Sequence, residues 1–161
     1  MNKLKKPFVF LKNRILPIEK NTVLFRSFTG QYNDNPKAIA LQLREKAPNL
    51  QIVWVRSSKS REEFPSYVKV VEYESEEYYR YILRAQVVVD NYVGLRCSLG
   101  SGLNGTIKNF FFVNKRKKQL CVSTWHGTPL KRIGADEIQK SNKDTHYYTC
   151  SDYIVAGCNL T

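Results

Sequence analysis

Residues 75–90 read SEEYYRYILRAQVVVD, and the pattern changes in the middle of that stretch. Ser75 suits a helix cap, because its hydroxyl can accept from a free amide of the first turn. Glu76 and Glu77 then place negative charge at the positive end of the helix dipole, so the stretch predicts a helix running to about Arg84. Gln86–Asp90 is short and nearly continuously apolar, the pattern of a strand buried on both faces. Strands of that kind belong to parallel sheets covered by helices.

The same alternation extends outward in both directions. Thr22–Phe28 (TVLFRSF) is β-branched and aromatic and runs into Thr29-Gly30 and a turn-rich stretch to Asn35, which reads as a strand and a loop. Asp34-Asn35-Pro36 opens a helix, with Asp or Asn as the cap and Pro at the first position. Ile39, Leu43 and Ala47 keep one face apolar, Pro48-Asn49 ends the helix, and Leu50–Val55 is a second strand. After a polar loop from Arg56 to Pro65, Tyr67–Tyr73 reads as a third. Gln119–Thr124 (QLCVST) and Tyr153–Ala156 (YIVA) repeat the doubly buried pattern. The fold class is therefore α/β, a Rossmann-like parallel sheet with flanking helices. The chain contains no internal repeat and no low-complexity tract.

A length of 161 residues predicts one domain, and a net charge of +12 predicts attraction to something anionic without choosing among nucleic acid, phosphorylated substrates and an acidic membrane face. No apolar run approaches the roughly 20 residues of a membrane-spanning helix. Residues 1–20 carry six basic side chains against the single acid Glu19, with Phe8, Val9, Phe10, Leu11, Ile15 and Leu16 interleaved. That segment reads either as an arm for a membrane surface or partner, or as a leader packed along one apolar edge. Lys12, Asn13 and Arg14 interrupt its apolar residues, and it has no small-residue cleavage site, so it does not read as a signal peptide. Cys97, Cys121, Cys150 and Cys158 form no Cys-x-x-Cys pair and the only histidines are His126 and His146, so reduced thiols are expected and no metal site.

Three segments could carry chemistry. Gly100–Gly105 (GSGLNG) matches Gly-x-Gly-x-x-Gly, but the nearest strand ends ten positions earlier and no acid follows at the spacing a ribose needs. A surface loop is the better reading. Lys115-Arg116-Lys117-Lys118 follows Phe110, Phe111, Phe112 and Val113, and reads as a solvated turn or as a surface for an anionic membrane or polyphosphate. Ser123–Gly134 (STWHGTPLKRIG) emerges where Gln119–Thr124 should leave the sheet, and ligands of open α/β sheets gather outside the carboxyl ends of strands. There His126 can accept a proton from a hydroxyl at neutral pH. Gly127 leaves room for a substrate, Thr128 offers a hydroxyl and an amide, and Lys131 and Arg132 supply charge for phosphate. A histidine that merely caps or packs the loop satisfies the same residues.

Trp125-His126-Gly127-Thr128-Pro129-Leu130-Lys131, with Gly134 beyond it, resembles the signature of the CDP-glycerol glycerophosphotransferases, the teichoic acid primases and polymerases. Leu24–Phe28, Gly30, Tyr32, Asp34–Ile39 and Val53-Trp54-Val55 resemble that family in the same order. The likeness runs from Asn21 to the C-terminus, apart from Cys97–Gly105. It implies a GT-B-like architecture of two Rossmann-like domains. It also implies transfer of glycerol phosphate from CDP-glycerol to a hydroxyl of a membrane-linked teichoic acid chain, with release of CMP and no cofactor.

In that scheme His126 is the catalytic base, Lys131 and Arg132 steady phosphate, and Gly30, Asp34 and Asn35 face the cleft. The family continues into a second domain that holds most of the nucleotide site, for which this sequence has no candidate residues; His146 reads as structural. The expectation is a basic arm over residues 1–20 and an acceptor-side domain over 21–161, with the C-terminal nucleotide-binding domain absent. Such a chain would be inactive alone or active with a complementing C-terminal half, on the cytoplasmic face of the membrane. A non-catalytic module for an anionic polymer or membrane surface is the alternative. Nucleic acid ranks third, because no recognised binding module accompanies the charge.

Overall fold

The computed structural model describes residues 5–58, 60–91, 115–124 and 151–155. In chain order these form α1 (Lys6–Ile15), β1 (Glu19–Arg26), a 3-10 turn (Phe28–Gly30), α2 (Asp34–Lys46), β2 (Gln51–Arg56), β3 (Val68–Glu72), α3 (Glu76–Arg84), β4 (Ala85–Asp90), β5 (Leu120–Ser123) and β6 (Tyr153–Ile154). The strands make one sheet in the order β3-β2-β1-β4-β5-β6, and each neighbouring pair is parallel. The expected Rossmann-like sheet is present, and its strand order reverses direction between β1 and β4. That switch point is where loops leave a sheet in opposite directions and open a crevice at the carboxyl edge.

Alternation along the central strands explains the layering. Leu24, Val53, Val55 and Val88 face one side and pack with Val9 and Phe10 of α1 and with Tyr78, Tyr81, Ile82 and Leu83 of α3. Val23, Phe25, Ile52, Trp54 and Val89 face the other and pack with Ala40, Ile39 and Leu43 of α2. Trp54 is fully buried, stacked on Phe25 at 5.2 Å and met edge-on by Tyr32 at 4.7 Å. Side chains buried on both faces produce the continuous apolar runs seen in the sequence.

Several local readings change. Ser75 does cap α3, its Oγ accepting from Tyr78 N–H at 3.0 Å. The expected Asp or Asn cap of α2 does not form: Asn33 occupies the cap position with no side-chain cap bond, while Asp34 lies inside the helix with φ 54. Tyr153 and Ile154 are exposed rather than buried on both faces, because β6 is the outer strand of the sheet. Residues 6–15 of the basic arm are helical and dock against α3, with Val9, Phe10 and Asn13 buried.

The basic run is not simply a solvated turn. Lys117 and Lys118 are exposed, but Lys115 pairs with Asp152, and Arg116 Nη1 donates to the carbonyls of Asn13 (3.3 Å), Leu16 (2.7 Å) and Leu83 (3.2 Å). These are the C-terminal ends of α1 and α3, where unpaired carbonyls and the helix dipole favour a cation. Cys121 is a free, buried thiol; the other three cysteines lie outside the described residues.

Candidate active site

The carboxyl edge at the switch point is built from three strand ends in register. Arg26 of β1 lies opposite Asp90 of β4, and Asp90 opposite Ser123 of β5. Arg26 Nη1 sits 3.2 Å from Asp90 Oδ2, with the Asp90 side chain 1% exposed and that of Arg26 23%. Burial works against the guanidinium charge, but the Asp90 carboxylate and nearby tyrosines outweigh it, and the Arg26 pKa is raised. The Tyr78 hydroxyl, beside this pair, is pushed up to about 12 by burial, against the opposing pull of Arg26. Arg26 is thus a held, charged group whose field is largely neutralised by its partner.

Over this edge runs the loop from Ser27 to Asn33, fixed from four directions. Phe28 N–H donates to Asn91 Oδ1 at 2.7 Å, and Asn91 Nδ2 approaches Asp34 Oδ2 at 3.5 Å. Tyr32 N–H donates to Glu62 Oε2 at 2.7 Å, which joins the loop to the segment after β2. Tyr32 Oη also meets Tyr67 Oη at 2.7 Å, and burial together with that bond raises its pKa. Asn35 Nδ2 donates to the Thr124 carbonyl at 2.9 Å, so the start of α2 holds the last described residue of the β5 exit. Thr124 is itself buried and donates its N–H to the Asp90 carbonyl at 2.9 Å.

Gly30 shows why this position lacks a side chain. Its φ is +72, and a Cβ there would lie 2.4 Å from the backbone N of Ser57. Thr29 and Asp34 also adopt left-handed backbone, at φ 61 and 54. Thr29 in the loop and Asp34 at the start of α2 each store strain of order 1 kcal/mol or more, held in place by the surrounding bonds.

Of the residues singled out in the sequence, Gly30, Asp34 and Asn35 come together at this edge. Gly30 packs against the backbone after β2, whereas Asp34 and Asn35 are exposed. His126, Gly127, Thr128, Lys131 and Arg132 lie outside the described residues, as do Gly100–Gly105 and His146. Sequence reasoning missed Asn91, Glu62 and the Arg26–Asp90 pair. Asn91 had a signal: it directly follows the doubly buried strand, at the edge where ligands gather. Glu62 had none, since only the fold brings it 30 residues back to Tyr32. Among the described residues no group of three or more His, Cys, Asp or Glu side chains could hold a metal ion. The edge therefore offers amide groups, a strained loop and a neutralised ion pair around the point where the chain leaves β5.

The family model of CDP-Glycerol:Poly(glycerophosphate) glycerophosphotransferase matches residues 8–159. A teichoic acid poly(glycerol phosphate) polymerase of Staphylococcus epidermidis is 29% identical over 120 residues, covering 74% of this chain and 15% of the relative. A teichoic acid glycerol-phosphate transferase of Staphylococcus aureus is 31% identical over 119 residues, 73% of this chain and 26% of that one. A solved structure of the wall teichoic acid polymerase TagF, soaked with CDPG, superposes with a TM-score of 0.70 at 25% identity, covering 92% of this chain and 36% of the other. The chain thus spans well under half the length of these relatives.

Proposed function

The chain belongs to the CDP-glycerol:poly(glycerophosphate) glycerophosphotransferase family, and from that premise we propose that it forms the acceptor-side half of such a transferase. The observation that carries this reading is the family match over residues 8–159, laid on a sheet whose carboxyl edge gathers Gly30, Asp34 and Asn35. His126 takes the proton of an acceptor hydroxyl on a membrane-linked teichoic acid chain. The hydroxyl oxygen bonds to the β-phosphorus of CDP-glycerol, the phosphoanhydride bond breaks, and CMP leaves. Lys131 and Arg132 balance the phosphate charge in the transition state, with Gly127 and Thr128 giving the backbone close access.

Asn35 and Asn91 also hold the loop and the β5 exit, their amides serving the Thr124 carbonyl and the Phe28 amide. The place of action is the inner face of the cell membrane, with the chain held peripherally. No described helix is long and apolar enough to cross a membrane.

The test measures CMP release from CDP-glycerol with a teichoic acid primer, for this chain alone and with the separately expressed second half of a relative. The expected result is turnover in the mixture that falls at least about 100-fold with His126→Ala. Turnover that is indifferent to His126→Ala sinks the assignment of the base. Primer binding without turnover in any mixture favours a non-catalytic polymer-binding module.

A further inference from the structure

Thr124 is the last described residue before the candidate base, and both of its backbone groups are held. It is completely buried; its N–H donates to the Asp90 carbonyl at 2.9 Å, and its own carbonyl accepts from Asn35 Nδ2 at 2.9 Å. A peptide unit is planar, so a fixed carbonyl also fixes the direction in which the chain leaves toward Trp125. One residue then separates Thr124 from His126. Covalent geometry keeps their Cα atoms within about 7.6 Å, so the Asn35 amide acts on the chain two positions from the imidazole.

Asn35 has a rigid base. It is the second residue of α2, Pro36 beside it is buried, and Ile39, Ala40 and Leu43 pin the helix to the sheet. The residue before it is held as well, since Asn91 Nδ2 lies 3.5 Å from Asp34 Oδ2. Asn91 is buried and donates its own N–H to the Arg26 carbonyl at 3.3 Å. The ends of β1, β4 and β5 and the start of α2 thus meet where the His126 segment departs. The Asn35 bond joins an exposed side chain to a buried carbonyl 89 positions away and belongs to neither the helix nor the strand ladder.

We propose that Asn35 is a positioning residue for the transfer step: through the Thr124 carbonyl it sets where the chain carrying His126 leaves the sheet, and so the reach of the imidazole toward the acceptor hydroxyl. A general base works only within hydrogen-bond reach of its proton, and a displacement of about 1 Å costs about 100-fold in rate. A base carried just past a strand end therefore needs a hold from outside the strand. The inference rests on the reading of His126 as the base and adds the residue that holds it.

Asn35→Leu keeps the size of the side chain and removes the donor. In the mixture with the second half of a relative, kcat should fall at least about tenfold while KM for CDP-glycerol changes less than about threefold. Placed on His126→Ala, the same substitution should lower the residual rate by less than about twofold, because a residue acting through the base has nothing left to position. Gln86→Ala is the control for lost stability: it removes the acceptor of the Asn21 N–H, a 2.9 Å bond at the opposite edge of the sheet, and should leave kcat unchanged. A rise in KM with kcat preserved would make Asn35 a substrate contact, and full additivity with His126→Ala would detach it from the base; either overturns the proposal. The chain has two histidines, so the His126 imidazole is directly observable by NMR once His146→Gln has assigned it. Its signal should move in Asn35→Leu and stay in place in Gln86→Ala. An unmoved signal in Asn35→Leu overturns the proposal with no substrate present. A wild-type mixture without turnover removes the transferase reading, and the imidazole signal then decides the positioning by itself.

Discussion

At the amino edge of the sheet two side chains serve five backbone carbonyls: Arg116 donates to those of Asn13, Leu16 and Leu83, and Gln119 to those of Ile82 and Ala85. At the carboxyl edge the arrangement is different. Uncharged amides of Asn35 and Asn91 and the carboxylate of Glu62 hold a loop and the start of α2, where the backbone is left-handed at Thr29, Gly30 and Asp34. One edge relieves helix ends and the other holds a loop in place. A basic run therefore marks a structural clamp here, and short polar residues after strands mark the edge that holds the loop. In a chain of net charge +12, charge alone is a poor guide to the site.

The sharpest way to break this comparison is Arg116→Met. It removes a guanidinium that burial, then the nearness of Arg14 and Arg84, already biases below the ordinary arginine range, and leaves three carbonyls without their donor. Urea unfolding should show a loss of about 3 kcal/mol. A loss smaller than that of the Asn91 variant below would end the view of this residue as the clamp.

Gly30→Ala comes next, at about 2 kcal/mol, because its Cβ meets the Ser57 backbone and its φ is unfavourable for a side chain. Its effect should be local, with hydrogen exchange faster in residues 27–35 than in β2 and β3. Asn91→Ala leaves the Phe28 amide without its acceptor and should cost about 1.5 kcal/mol, with earlier exchange at Phe28 as the marker.

The smallest effects come from pH, and they separate the edges. Burial pushes the Asp152 carboxyl up, but Lys115 and the Cys121 amide outweigh it and leave its pKa below the usual value. A depressed carboxyl contributes stability above its unfolded value near about 3.9 and loses it as pH falls through the folded value. Acid should therefore loosen the β5–β6 edge first. Tyr78 has the opposite sign: its pKa is raised to about 12, so its contribution is intact below about 10 and lost as pH rises toward 12. Tyr78→Phe should flatten the alkaline limb of a stability curve and leave the acid limb alone. An unchanged alkaline limb would show that the hydroxyl is not the group responsible.

Most of the fold was legible because its signals are local. The Ser75 cap, the apolar run Val87–Val89 and the helix over 34–46 depend on neighbours within a few residues, and each is found close to its expected bounds. The readings that changed or stayed open mostly turn on distant partners: whether YIVA is a central or an outer strand, whether Arg116 is solvated, and whether residues 1–20 form an arm or a docked leader all depend on what lies across the fold. Asp34 and Asn35 were legible as residues of the turn that opens α2, yet their part in holding Asn91 and Thr124 was not, since these partners lie 57 and 89 positions away.

By itself, then, the sequence determined the alternation of helix and strand, the parallel sheet and the family, because periodicity, caps and an ordered motif are written over short spans. Tertiary structure decided which charges are free and which loop is held. It brought Arg116 to two helix ends, gave Asn91 the Phe28 amide, and left Phe8, Leu11 and Ile15 uncovered. Each of these depends on desolvation and pairing between residues far apart in the chain, and no local pattern encodes a partner that only the completed sheet brings within reach.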